Sequence, residues 1–483
     1  MPANRSLMSV FAWMAVSTAV WSAAAQTKVM FFFDTEDFTC NESSDAIVET
    51  AKILSEEGVR GEYNIVGYLA RELVRQDRRD VIDAMKHHAV GTQTLKHSVH
   101  PTICERSDME DYATAYANVL ADEAEGVGML KAAFGLDHID YAVPPGDSWS
   151  YASLYAFADL GMTFYGGGGF AYAGEGEECK EGIVPPGNRR WGMWYCNLYQ
   201  LPYDYLMELE ALIPEGKDWR LPDFDRVLDQ AAKLDGVVFA LHPHLVIKRA
   251  HWDGVNYLGK NHVEWGKWKQ IENRPPEVVA AFYRNFRAFV RRIKADPRFQ
   301  FTDTLAEKAK LKKRVAITSA ELPAIRAALE RELGAVSVPH SWCVYDVFQA
   351  CAALLRGERE YLPGKAYGFL ERPQGVRKAT RVKAEDLRSA AARLPRQGFL
   401  PSVIEVGGGK LGPADFLMAA LEVLTTGAAE VTVVPREQLG SFGNAPSLAK
   451  VDIKSGWCIH SPDLNGKLLD ERLKLQLWTL RFE

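Results

Sequence analysis

The sequence predicts an α/β protein, laid out as an open parallel sheet or a barrel and followed by a smaller, mainly α-helical C-terminal part. Three observations predict it. Short, continuous apolar runs at 28–33 (KVMFFF) and 237–241 (VVFAL) have the composition of strands buried on both faces. Helical text alternates with such runs as far as residue 294, which is the pattern of βα layering. From about Val315 the rhythm changes to amphipathic helices, each followed by an apolar one.

Composition sets the frame. The chain has 483 residues, 47% hydrophobic and 25% charged, which excludes a disordered chain, a collagen-like repeat and a disulfide mini-scaffold. Its 57 Lys+Arg stand against 63 Asp+Glu, and no basic run is dense enough to track a phosphate backbone, so no nucleic-acid partner is expected. Residues 1–25 read as a secretory signal. Arg5 supplies the positive region, 7–21 is apolar, and Ala23-Ala24-Ala25 is a small-residue cleavage site. Ser9 and Ser17 interrupt an apolar stretch already shorter than the roughly 20 residues of a spanning helix, and no later segment is expected to span a membrane. The protein is therefore expected to be secreted or periplasmic. Export permits disulfides. Cys40, Cys104, Cys179 and Cys196 are candidates for two pairs, with Cys179–Cys196 the simplest, and seven cysteines leave at least one unpaired.

Along the mature chain, strands are predicted at 28–33, 61–67, 89–91, 139–143, 162–165 and 237–241. Helices are predicted at 44–57, 68–88, 108–134, 150–160 and around 276–294. Residues 165–201, rich in Gly, Trp and Tyr, read as a long functional loop. The first domain is 26–307, the basic stretch 308–314 is the boundary, and 315–483 forms the second domain. Its helices, 322–333 with 345–355 and 383–394 with 413–424, look like a diverged repeat. Residues 464–482 fit a strand or a helix equally well.

The chemistry concentrates in the first domain, where nine of the eleven histidines fall between His87 and His262. Asp34-Thr35-Glu36-Asp37 places three carboxylates at a strand's C-terminal end, where a metal ion or a shared proton would relieve their repulsion. His97 and His100, three apart after another strand, suit one ion. His242-Pro243-His244 follows a third strand, where an imidazole is placed for acid–base work. Trp149, Trp191 and Trp194 offer flat faces for sugar rings.

Together these segments resemble the polysaccharide deacetylase family, the NodB-homology domain of carbohydrate esterase family 4, over about 27–303. The resemblance implies a distorted (β/α) barrel, a divalent metal, usually zinc in that family, and hydrolysis of acetyl groups on a polysaccharide or acylated amino sugar. It implies Asp34 as base and His242 as acid, with Glu36 as metal ligand and Asp37 as its competitor. His97 matches the second histidine of the family's metal motif, but Gln93 stands where the first is expected, leaving His100 as a substitute. Val143-Pro-Pro145-Gly-Asp-Ser-Trp149 stands where the family carries an Arg-Pro-Tyr motif. Gln93, Pro145, Trp149, Trp191, Trp194 and His244 are the expected substrate contacts. The alternative is a non-catalytic carbohydrate-binding protein whose metal site has degenerated at Gln93. The C-terminal part, over about 318–426, resembles pseudomurein-binding repeats, which implies a cell-wall polymer as its partner.

Overall fold

The computed structural model describes residues 26–166, 192–259, 261–337, 339–440 and 459–482. The predicted signal 1–25, Trp191 and Cys179 lie outside the described residues. Among those described, no helix is long and apolar enough to cross a membrane.

Strand β1 (Thr27–Thr35) lies inside the sheet, paired on both sides. Its alternation explains the unbroken apolar run: Val29, Phe31 and Phe33 enter an outer core beneath the helices, while Met30 and Phe32 enter an inner one. Helix α1 (Asp45–Glu56) covers the outer face with Ala46, Ile47, Ala51, Ile53 and Leu54. Strand β2 (Glu62–Ile65) follows. The predicted helix 68–88 is two, α2 (Gly67–Arg75) and α3 (Arg79–Ala84), because Asp77 between them takes a left-handed φ of 52°. After β3 (Ala89–Thr92) and the short α4 (Ile103–Ser107) comes α5 (Tyr112–Phe134). It starts later than predicted because the Asp111 carboxylate accepts from the Thr114 N–H, and it stops at Gly135 in the left-handed region.

Strand β4 (Tyr141–Ala142), helix α6 (Tyr151–Asp159) and strand β5 (Phe164–Tyr165) complete this half. The described end of the predicted long loop is a hairpin, β6 (Met193–Tyr195) and β7 (Leu198–Gln200). Its two turn residues, Cys196 and Asn197, both have positive φ, as a two-residue hairpin turn requires. Then follow β8 (Asp204–Glu208), α7 (Phe224–Ala231), β9 (Gly236–Leu241), α8 (Pro243–Ile247), α9 (Trp252–Asn256), α10 (Pro276–Ala295), β10 (Phe299–Phe301) and α11 (Thr304–Lys308).

The rest is a repeat. Its first copy is β11 (Ile317–Thr318), α12 (Leu322–Arg331), α13 (Val344–Leu355) and β12 (Glu360–Tyr361), with a bridge between Val336 and Trp342. Its second copy is β13 (Thr380–Lys383), α14 (Ala384–Arg393), the hairpin β14 (Ile404–Val406) and β15 (Gly409–Leu411), α15 (Pro413–Thr426) and β16 (Glu430–Val433). In both copies the outer strands pair antiparallel, and a buried aspartate, Asp346 or Asp415, caps the N-terminus of the apolar helix. The C-terminal stretch resolves into both of its alternatives, α16 (Lys467–Lys474) and then β17 (Arg481–Phe482).

The main sheet runs β17-β6-β7-β5-β4-β3-β2-β1-β9-β8, with β10 beside the start of β1. Every pairing is parallel except β6 with β7 and β6 with β17. It curls so that Met30, Tyr141, Phe164, Tyr199 and Val238 meet on its inner face. Leu469, Leu473, Leu477 and Leu480 of the C-terminal stretch enter the same core as the first helices, whereas Leu475 and Trp478 enter that of the repeats.

Among the described residues no cysteine is paired; Cys179, the expected partner of Cys196, lies outside them. Cys40, Cys104, Cys196, Cys343 and Cys351 are free thiols. Cys196 sits in the tight hairpin turn, fully buried, with its N–H donated to Thr479 Oγ1 at 2.9 Å.

Gln476 joins the two cores. Its Oε1 accepts from Tyr155 Oη at 2.8 Å and the Gly368 N–H at 3.2 Å, and its Nε2 donates to the carbonyls of Phe369 and Arg472, both at 2.9 Å. Replacement by Ala strands several buried groups at once. Gln476→Ala is expected to cost about 2–4 kcal/mol in urea-induced unfolding, with the slope unchanged.

Candidate functional site

Parallel strands held in register aim matched residues at the same face. The Phe33 and Tyr63 rings show it on the outer face, stacked at 4.2 Å between centroids and 7° between planes. The opposite parity faces inward. Phe33 is level with Leu241, so Asp34 is level with His242; Asp34 is in turn matched with Asn64, and Asn64 with Gly91. One inner layer at the C-terminal ends of adjacent strands thus contains His242, Asp34, Asn64 and Gly91, which is where βα sheets carry their chemistry.

His242 Nε2 lies 3.6 Å from Asp34 Oδ2. On the other side of the ring, Nδ1 donates to Glu210 Oε1 at 2.9 Å, and the His242 backbone N–H donates to the same oxygen at 2.8 Å. Two bonds to one carboxylate set the ring's orientation and tautomer. Burial opposes a charge on His242, but Glu210, Glu36 and Asp34 outweigh it and hold the imidazole well above its ordinary range. Burial, aided by Glu36 and Glu210, pushes Asp34 up to about 7 against the pull of His242 and His97. A carboxyl and an imidazole, both shifted upward, therefore sit side by side.

Just beyond this layer is a second group. Glu36 is 4% exposed. Its Oε2 pairs with His97 Nε2 at 2.7 Å, and its Oε1 lies 3.6 Å from His244 Nδ1 and 3.8 Å from His251 Nδ1. Burial alone would raise Glu36, yet His97, His251 and His244 together hold it well below the usual carboxylate range. Ligand atoms of Glu36, His244 and His251 fall within 4.8 Å of one another. One carboxylate and two imidazoles are a fitting donor set for a divalent ion such as zinc. Two further facts fit. Neither ring nitrogen of His244 has a hydrogen-bond partner among the described residues, and burial keeps that ring neutral, as a ligand must be.

The residues expected as ligands have different surroundings. Asp37 is a turn cap: its carboxylate accepts from the Thr39 N–H at 2.8 Å and from the hydroxyls of Thr39 and Ser43 at 2.6 and 2.5 Å. His100 has both ring nitrogens engaged, Nδ1 with Glu105 at 2.9 Å and Nε2 with the Tyr257 carbonyl at 2.9 Å. His97 does reach the site, from a loop where Thr94 and His97 both take left-handed φ, but as the partner of Glu36. His244, expected to touch substrate, joins the candidate ligand set instead.

Among the expected substrate contacts, Trp149 is 1% exposed and packs in the outer core. Trp194 is on β6, paired with Arg481 of β17, whose guanidinium lies 4.9 Å from its ring centroid, so it is not on a free loop. Pro145 is buried in a 3₁₀ turn (Pro145–Asp147) after β4. Gln93 is buried just past the end of β3. Sequence reading missed Glu210 and His251. Glu210 has no motif signal. His251 had one: it is the third histidine within ten residues of His242.

No family model and no curated protein matches the chain. Solved structures that resemble it include the 4-alpha-glucanotransferase from Thermococcus litoralis, with a TM-score of 0.40, 12% identity and 60% of this chain covered. This chain spans 41% of the glucanotransferase's length. An allantoinase gives 0.35, 11% and 59%, with 90% of its own length covered. A family 4 carbohydrate esterase from Streptomyces lividans, solved with acetate, gives 0.28, 12% and 58%, with 94% covered. At these scores and identities the likeness assigns no activity.

His100 and Glu105 form a latch outside the centre. Glu105 also accepts from the N–H groups of Thr102 at 2.8 Å and Ser461 at 2.6 Å, tying the C-terminal stretch to α4. The Glu105 hydrogen bond holds His100 above its ordinary 6.5. Burial pushes Glu105 up, but bonds from His100, Ser461 and Thr102 outweigh it and hold it at about 2, below its ordinary 4.5. The histidine's contribution is complete below 6.5 and is lost as pH rises through its folded value; the glutamate's is complete above 4.5 and is lost as pH falls toward 2. The melting-temperature deficit of His100→Ala is therefore expected to be greatest between pH 4.5 and 6.5 and to shrink above that window.

Proposed function

We propose that this chain is a metal-dependent hydrolase that removes acyl groups from a polysaccharide or acylated amino sugar. The observation that carries the reading is the juxtaposition of Asp34 and His242, 3.6 Å apart, with the Glu36–His244–His251 cluster directly beyond them. A protein that only binds sugar needs no paired acid and base.

In this reading Glu36, His244 and His251 hold the ion. When bound, it supplies Lewis acidity that lowers the pKa of water and polarises an acyl oxygen. The chain does the rest. Asp34, with a proton affinity matched to neutral pH, takes the proton of the attacking water. His242, held protonated by Glu210, gives its proton to the leaving amine or alkoxide. Glu210 keeps that ring pointed at Asp34, and His97 keeps Glu36 ionised and oriented. Gln93, at the position of an expected histidine, is not needed as a ligand because His244 and His251 provide two imidazoles. With residues 1–25 read as a leader, the reaction belongs to an exported compartment. The C-terminal repeats would then hold the polymer that carries the acyl groups.

Elemental analysis of the purified chain tests the metal. About one divalent ion per chain is expected, lost in His244→Ala and retained in His100→Ala. Absence of metal from the wild type after incubation with zinc would sink the proposal. Asp34→Asn should keep the ion while lowering acetate release from acetylated sugars by about 10²–10⁴-fold.

A further inference from the structure

The two repeats present the same feature to solvent. In the first copy β11 pairs with β12, Ile317 opposite Tyr361; in the second β13 pairs with β16, Thr380 opposite Val433. One step further along each ribbon, the register sets Ala316 against Leu362 and Ala379 against Val434. A proline follows each apolar residue, Pro363 and Pro435, and an arginine stands two residues before each alanine, Arg314 and Arg377. Leu362 is 66% exposed, the most of any large apolar side chain among the described residues, and Val434 is 49% exposed. Val315, beside Ala316, is a third at 41%. In β16 Val431 and Val433 are buried while Glu430 and Thr432 face out, and Val434 continues the outward series.

Single apolar side chains are common on protein surfaces and carry no meaning by themselves. Here the exposure recurs at equivalent positions of two copies that differ elsewhere: the second has the β14–β15 hairpin where the first has one bridge. Folding gains nothing from a leucine or valine left in water. Bases flank both ribbon ends, Lys312 and Lys313 at the first, Arg377 and Lys378 at the second. All four are exposed, and none has an ion-pair partner among the described residues. The ribbons' outward acids, Glu360 and Glu430, lie toward the opposite ends, level with Thr318 and Lys383. Residues 312–436 carry 18 Lys+Arg against 13 Asp+Glu, whereas the whole chain carries 57 against 63. The repeats are a basic module on an acidic chain.

Equivalent surfaces on repeated modules suit a partner that is itself repetitive, a polymer. Its unit has to offer an anionic group and an apolar face side by side. An acidic sugar does so, with a carboxylate for the two bases and a ring C–H face for the leucine or valine. A phosphate chain has the charge without the face, and a neutral glucan has the face without the charge.

We propose that the two ribbon ends are paired binding sites for one linear acidic polysaccharide. The first is built around Leu362, Lys312 and Lys313, the second around Val434, Arg377 and Lys378. The inference rests on the reading of the repeats as the part that holds the polymer, and not on hydrolysis. Each site alone binds weakly; the pair binds one chain tightly, because the second contact forms within a complex already made.

The test is titration calorimetry of the full chain with polygalacturonate, with dextran as the neutral control and polyphosphate as the anion without a sugar face. Polygalacturonate is expected to bind tighter than either control and to weaken at about 0.3 M salt. Lys312→Glu with Lys313→Glu, and Arg377→Glu with Lys378→Glu, are each expected to weaken it by about 10–100-fold. Leu362→Ser and Val434→Ser should weaken it as well, with the melting temperature unchanged, since neither side chain is buried; a structural role would show as a fall. Acetate release from a small acetylated sugar should be the same in all of these variants as in the wild type. No binding of polygalacturonate, equal binding of dextran, tighter binding of polyphosphate, or full affinity in either charge variant overturns the inference. Polymer binding with no acetate release by the wild type leaves it standing and refutes the hydrolase reading instead.

Discussion

Glu36 is buried at the mouth of the sheet with three imidazoles around it. A carboxylate removed from water costs several kcal/mol unless its surroundings supply matching charge and hydrogen bonds. That requirement organises the centre. It draws the loop after β3 inward, with Thr94 and His97 in left-handed backbone, and it draws the segment after β9 inward, with His244 and His251. Strained backbone of this kind persists where surrounding contacts over-determine it, and such positions cluster at functional sites. The same arrangement leaves one carboxylate and two imidazoles within reach of a single ion.

The layer beneath is set by sheet register rather than by charge. Three adjacent parallel strands bring His242, Asp34 and Asn64 level, and alternation aims them inward together. Below them Phe32, Ala240 and Tyr141 fill the inner core, so the polar layer rests on an apolar floor that shields it from one side. A weakly solvated floor strengthens electrostatic effects above it. It is why burial heads the causes that lift Asp34.

The C-terminal stretch ties this sheet to the repeats. Strand β17 extends the sheet beside β6, and Gln476 and Glu105 secure the stretch through buried or half-buried hydrogen bonds. Trp194 illustrates the consequence. Its sequence neighbourhood, rich in Gly and aromatic residues, looks like a sugar-binding loop, but its strand is paired with chain from nearly three hundred residues away. Long-range pairing of that sort leaves no local signal.

Much of the fold was legible locally. An apolar run buried on both faces reads as a strand because alternation hides inside it, and β1 and β9 fall where their runs do. The diverged repeat was legible because helix patterning depends on neighbours three and four residues away. The positions of Asp34, Glu36 and His242 at strand ends were legible as well, since residues at the end of a buried strand have their position dictated by it. The ligand set was not. Whether His97, His100, His244 or His251 meets Glu36 depends on the paths of two loops, and those paths depend on packing between segments distant in sequence. Asp37 next to Glu36, and His100 next to His97, share the composition of a ligand but are engaged by Thr39, Ser43, Glu105 and Tyr257. The sequence by itself determined which strand ends gather carboxylates and histidines, because that follows from local pattern. Only the tertiary structure decided which of those side chains share one point in space, because that is a property of register and loop closure between remote parts of the chain.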